Sequence, residues 1–363
     1  MSSSLSVDLR IMTRRQFASG FAALFACVRA APSLASQRKI RFGVFSLFEP
    51  REMILSSDRP LLVKVDDRCF SITPDDPPMR ILGEGTTLRI RFGAQSCAAS
   101  RLDATSPAGG TAMIALAVPQ TPRHGGIRRE FQGSFEVQVA SGLLRPIVAM
   151  QTETAVASIV AAESSANAPP AFLMAQAVAS RSFLIAAKTA HAGFDFCDTT
   201  HCQFLRGPAP DGTAAAAAEA RTAGLCLHYE GRPLAAMYSR SCSGRTCSLD
   251  ELGLRVRDYP YYAVECEFCR RHPEAWVRKF DGEAEPPRGE RERIAYDRIH
   301  GWSALPSTIF VRRRNQLQGR GIGHGLGLCQ RGAMAMARAG VAFDGILAHY
   351  YPNTRLAPAF PDG

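Results

Sequence analysis

The chain has 363 residues, 46% of them apolar, a formal charge of +10 and eleven cysteines. That length and apolar content suffice for a sizeable core in one large domain or two, and no repeat of solenoid period is visible. The positive charge comes without Lys/Arg blocks or interleaved aromatics, so it argues against nucleic-acid binding and fits a secreted protein drawn to an anionic polymer such as a cell wall.

Residues 1–35 read as an export signal and are set apart from the fold. In "MTRRQFASGFAALFACVRAAPSLAS", Arg14 and Arg15 precede an apolar run, and Ser33 and Ala35 suit cleavage after Ala35. The run is shorter than the roughly 20 apolar residues of a membrane span, and Arg29 interrupts it. Thr-Arg-Arg-Gln-Phe resembles the twin-arginine type of signal, which passes proteins already folded and predicts a mature protein in the periplasm or cell envelope. A competing reading takes "LFAC" as a lipobox with Cys27 lipidated. The signal carries four arginines and one aspartate, so the mature charge falls to about +7. No second apolar stretch reaches spanning length, so no transmembrane span is expected in the mature chain.

From 38 to 150 the chain reads as strands. "KIRFGVFSLF", "PLLVKVDD", "TTLRIRFG", "TAMIALAV" and "GSFEVQVA" are short, rich in β-branched and aromatic residues, and separated by Gly, Pro and Asp. The character changes at "TAVASIVAAESSANAPPAFLMAQAVASRSFLIAAKTAHAG", where apolar residues recur at helical spacing in two runs split by Asn167 and Pro169-Pro170. An Ala-rich stretch at 213–220 follows, then strands around "CLHYEGRPLAAMYSRSC", a charged, Pro- and Arg-rich surface insertion near 282–294, and a final helix, "QRGAMAMARAG", closing on Gly340. The expected fold is α+β: a β-rich portion over 38–136 joined to a mixed helix/strand region over 137–360 with a Gly-rich C-terminal motif.

Four features carry candidate chemistry. Glu163 ends the run "ASIVAAE" and is the sole carboxylate between 155 and 194; at the end of a buried helix it would be desolvated, with a raised pKa suited to proton donation. The bland alternative is a solvated helix-terminal Glu. "HAGFDFCDTTHCQFLRG" offers His191, Cys197, His201 and Cys202, compatible with one loop around a tetrahedral zinc or with a Cys197–Cys202 disulfide. His201 is then a ligand or a polar group facing a cleft. Cys242, Cys247, Cys266 and Cys269 could hold a second zinc or pair as disulfides. Last, "GRGIGHGLGLCQRGA" presents His324 on a loop of alternating glycines; it lacks the Gly-Lys-Ser/Thr ending of a phosphate loop and the βαβ setting of a dinucleotide fingerprint.

Together "AAES…AQAVASRSFLIAAK", "CDTTHCQFLRG", "MYSRSCSGRT", "GRGIGHGLGLCQRGAMAMA" and "ILAHYYPNTRL" resemble, in order and spacing, the sporulation stage II protein D family, which includes LytB-like amidase enhancers. The resemblance implies a peptidoglycan lytic transglycosylase that cuts the β-1,4 bond from N-acetylmuramic acid to N-acetylglucosamine in denuded glycan strands and leaves a 1,6-anhydro end. It also implies Glu163 as the single acid/base, and His191, Cys197 and Cys202 as ligands of a structural zinc with a fourth position left to water or another side chain. Arg181, Gln203, Tyr238, Ser241, Gly323 and His324 match recurring polar or glycine positions and are expected to line the cleft. The implied partners are glycan strands and, by analogy with the LytB-like relatives, a cell-wall amidase. A non-catalytic amidase activator and a zinc hydrolase of wall peptides are the rival functions. The sequence departs from the family pattern at Ser164-Ser165 and Pro170, at "SCSG", and at Arg331, where Trp is frequent.

Overall fold

Alternating burial organises the first half of the chain. In Leu61–Val65 the side chains of Leu61, Val63 and Val65 are buried while Leu62 and Lys64 are exposed, the period-2 pattern of a strand with one wet face. In the computed structural model the described residues are 38–359, excepting 108–111, 123–124, 189–190, 256–257, 281–284 and 302. The export-signal reading falls on residues outside them.

Among the described residues, twelve strands form one sheet, antiparallel almost throughout. Its spine is the fourteen-residue strand Ile127–Ala140. The first half of that strand pairs with Ala112–Val118, and the second half pairs with Leu143–Gln151 on one side and Arg101–Thr105 on the other. A short parallel pairing closes the path: Phe196–Cys197 lies beside Phe42–Gly43. That contact fastens the cysteine-rich loop to the sheet edge.

Among the described residues the helices are α1 (Thr152–Glu163), α2 (Pro170–Ala186), α3 (Ala214–Arg221), α4 (Glu267–Arg271), α5 (Glu290–His300), α6 (Gln330–Arg338) and α7 (Phe343–Tyr350). Pro170 stands at the first turn of α2, where its missing N–H costs nothing. Residues 172–182 of α2 are buried without interruption, as expected for a helix apolar on nearly all sides. It packs against α1, α3, α6, α7 and the strand Leu225–Tyr229. One apolar core runs from Ile40 on the first strand to Tyr351 after α7. A satellite core under the sheet of Ala275–Lys279, Phe310–Arg313 and Gln316–Arg320 is built on Trp276, Phe280 and Leu317.

The architecture is α+β. Two expectations change. The 282–294 stretch is not merely a surface insertion: from Glu290 it folds into α5, held by Arg293 bridging Glu290 and Asp297, all three largely buried. The helix "QRGAMAMARAG" ends at Arg338 with Gly340 at φ 87°, but it is not last, because α7 follows at once.

Candidate functional site

A cleft of about 860 Å³ opens where the end of α1, the loop after Phe196–Cys197, the strand Tyr238–Ser239, the glycine loop and α5 converge. Among the described residues three carboxylates line it: Glu163, Glu290 and Asp297. Two are committed. Glu290 takes Arg293 Nη2 at 2.6 Å, and Asp297 takes Arg293 Nη1 at 2.8 Å. Among the described residues Glu163 faces no cation at ion-pairing distance; it accepts from Gln330 Nε2 at 3.3 Å and from the Phe204 backbone N–H. Burial among these walls pushes its pKa up to about 7, outweighing the two hydrogen bonds, which favour the charged form. Its place at the negative, C-terminal end of α1 acts in the same direction.

Around Glu163 runs a polar network. Gln330, the first residue of α6, donates also to Gln176 Oε1 at 3.4 Å, and Gln176 Nε2 donates to Ser180 Oγ at 3.3 Å. Tyr238 donates its hydroxyl to Gln203 Oε1 at 2.6 Å; burial and then the Glu163 charge hold its phenol well above the ordinary value, so it stays protonated. His324 accepts the Leu326 N–H at Nδ1, 3.0 Å away, and bonds the Tyr238 backbone; burial depresses its pKa, so the ring is neutral. It clamps the glycine loop to the strand carrying Tyr238. The loop needs its glycines for close approach: at Gly327, φ is 63° and a Cβ would meet the Met237 carbonyl oxygen at 2.1 Å.

At the cleft rim His191, Cys197, His201 and Cys202 bring one ligand atom each within 4.8 Å of one another. His191 Nε2 lies 3.1 Å and His201 Nδ1 3.3 Å from Cys202 Sγ. This N2S2 set has the donor types and tetrahedral reach of a closed metal site, and His201 stands where a fourth ligand would be needed. The loop is anchored by Asp198, which accepts the Phe45 N–H at 2.8 Å and pairs with Arg129 at 2.7 Å in a buried setting. All ten described cysteines are free. A second group, Cys242, Cys266, Cys269 and Cys329, is wholly buried and equally close-knit.

Residues 141–229 match the family model SpoIID, Stage II sporulation protein. Over that segment the chain is similar to the SpoIID family. It is also 25% identical over 263 residues to an uncharacterized protein of Brachyspira hyodysenteriae, covering 61% of this chain and 71% of that protein. The SpoIID match over 141–229 supports a cell-wall-related role. Among the described residues no helix is long and apolar enough to cross a membrane.

Not every residue expected in the cleft lies there. Glu163, Gln203, Tyr238, Gly323 and His324 line it together, and the 191–202 loop contributes His201 and Cys202. Arg181 does not line it. It is fully buried on α2, pairs with Glu153 at 2.6 Å, approaches Glu219 at 3.9 Å and donates to the Leu225 carbonyl, joining α1, α2, α3 and a strand. Ser241 is buried behind the cleft wall, its backbone bridging Ile322. Cys247 does not join the second cysteine group; it packs against Gly325, and Cys329 takes the fourth corner instead. Gln176 and Gln330 were not singled out from the sequence. Gln176 was available as the first polar side chain in the otherwise apolar "PAFLMAQ", and Gln330 as the residue opening the helix after the glycine loop.

Proposed function

We propose that the protein is a peptidoglycan lytic transglycosylase acting on denuded glycan strands, with Glu163 as its single acid and base. The observation that carries this reading is that Glu163 is, among the described residues, the one cleft carboxylate not tied to an arginine, with a pKa of about 7. Near neutrality such a group is present in both protonation states, the requirement for a residue that gives and then takes a proton.

In the first half-step protonated Glu163 donates to the glycosidic oxygen, and the C1–O bond breaks with its electron pair leaving on that oxygen. In the second, the muramoyl C6 hydroxyl attacks C1 and Glu163 carboxylate takes the hydroxyl proton, restoring the acid. No water is activated, so the second carboxylate of ordinary glycosidases is not required. Gln330 orients Glu163, while Tyr238, by holding Gln203 Oε1, leaves the Gln203 Nε2 to donate to sugar hydroxyls. His191, Cys197, His201 and Cys202 would hold a zinc ion with no ligand position left for substrate, so its contribution would be to fix the cleft rim. The remaining basic charge, with Arg240 and Arg291 at the cleft, suits an anionic wall polymer.

The test is mass spectrometry of products from denuded strands incubated with the mature protein and with Glu163→Gln. Anhydromuramoyl ends from the unmodified protein alone are expected. Reducing ends, released peptides, or wall binding with no cleavage would each overturn the assignment, the last in favour of an amidase-activating role.

A further inference from the structure

The second cysteine group lies away from the cleft and takes no part in the chemistry above. We infer that Cys242, Cys266, Cys269 and Cys329 form a mononuclear tetrathiolate zinc site that braces the start of α6. Their four Sγ atoms lie within 4.8 Å of one another, and Cys269 and Cys329 are 3.5 Å apart. A tetrahedral zinc with Zn–S bonds of about 2.3 Å sets sulfurs roughly 3.8 Å apart. Disulfide sulfurs would be at about 2.05 Å, and an iron–sulfur cluster, having several metal atoms between its thiolates, would spread them further. The observed spacing fits one ion.

The surroundings are those of thiolates. Cys329 Sγ accepts the backbone N–H of Cys242 at 3.3 Å and of Gly332 at 3.5 Å, and Tyr350 Oη lies 3.5 Å from Cys266 Sγ. Such donors offset negative charge on sulfur and fix its orientation. Gly332 makes room for this: a Cβ there would fall 2.4 Å from Cys266 Sγ and 2.1 Å from Tyr350 Oη. The four ligands come from three separate places, the loop after Tyr238–Ser239, the helix α4 with its Cys-x-x-Cys spacing, and the N-cap of α6. Without an ion, four buried thiols of an exported protein would converge with no disulfide among them.

The site also reaches the cleft through the backbone. Cys329 is the N-cap of α6, and the next residue, Gln330, donates to Glu163. An ion holding Cys329 to α4 would therefore fix the amide that orients the carboxylate.

Metal analysis of the full purified chain tests this. Two zinc ions per chain are expected, one per cluster, falling to one in Cys329→Ser or Cys269→Ser, again to one in Cys197→Ser, and to none when the two kinds are combined. Should the cysteine variants fail to fold, the unmodified protein still decides. After cobalt(II) exchange it should show the intense thiolate-to-metal absorption of a four-sulfur site beside the weaker bands of the mixed site. One zinc per chain that is retained in Cys329→Ser or shows no four-sulfur cobalt spectrum, disulfides among the four cysteines on alkylation and mass spectrometry, or an iron chromophore in the native protein would each overturn the inference.

Discussion

At Glu163 the raised pKa has a thermodynamic consequence. The folded value of about 7 lies above the ordinary 4.5, so protonation favours the folded state; that contribution is complete below 4.5 and is lost as pH rises through 7. Glu163→Gln removes the charge that the cleft disfavours. Its unfolding free energy should therefore exceed that of the unmodified protein by about 1–3 kcal/mol near pH 8.5, the difference fading toward pH 4.5. Thermal melts at the two pH values check this, and a lower Tm for the variant at alkaline pH would contradict the desolvation argument. Gln330 acts in the opposite sense, since its hydrogen bond favours the charged carboxyl. Gln330→Leu should raise the Glu163 pKa and move the alkaline limb of the pH–rate profile upward by about 0.5–1 unit; a uniform loss of rate with an unmoved limb would make Gln330 a packing residue only.

Among the elements, α2 illustrates how a polar residue inside an apolar helix can be mistaken for a site residue. Arg181 was expected to line the cleft, yet the fold spends it on holding α1, α3 and Leu225–Tyr229 together. Burial and neighbouring Glu153 push Glu219 up to about 8, while Glu153, despite its own burial, is held low by Arg181. Removing the guanidinium would strand Glu153 as an uncompensated charge. Arg181→Met is expected to lower stability by about 3–5 kcal/mol, with kcat/KM of the folded fraction changed less than about threefold. Urea unfolding together with kinetics separates the cases, because a true cleft residue would reverse that pattern.

Over the whole molecule, one cysteine group gathers residues 191–202 at the cleft rim and the other joins segments from Cys242 to Cys329. The first holds residues 191–202 beside a sheet edge secured by Asp198 and Arg129. Stripping metal with a chelator should free this rim: amide exchange over 191–207 should accelerate, and KM for glycan should rise more than kcat falls, while exchange in the Ile127–Ala140 strand stays slow. Unchanged exchange in the loop would show that the rim holds without metal.

Much of this was legible because it is local. The strands over 38–150, the helix pair split at Pro169-Pro170, and a lone carboxylate at the end of an apolar run depend on period, breakers and composition, which neighbouring residues determine by themselves. The 191–202 cluster was legible for the same reason, its four ligands lying within twelve residues. What the tertiary structure decided is which distant groups meet. Cys329 rather than Cys247 completes the tetrathiolate set, Arg181 turns to Glu153 and away from the cleft, and Arg293 ties up the two carboxylates that would otherwise compete with Glu163. Side-chain type and spacing determine what a residue can do; whether it is desolvated, paired or ligating depends on groups brought to it through space, across 60 residues or more in the case of Cys269 and Cys329.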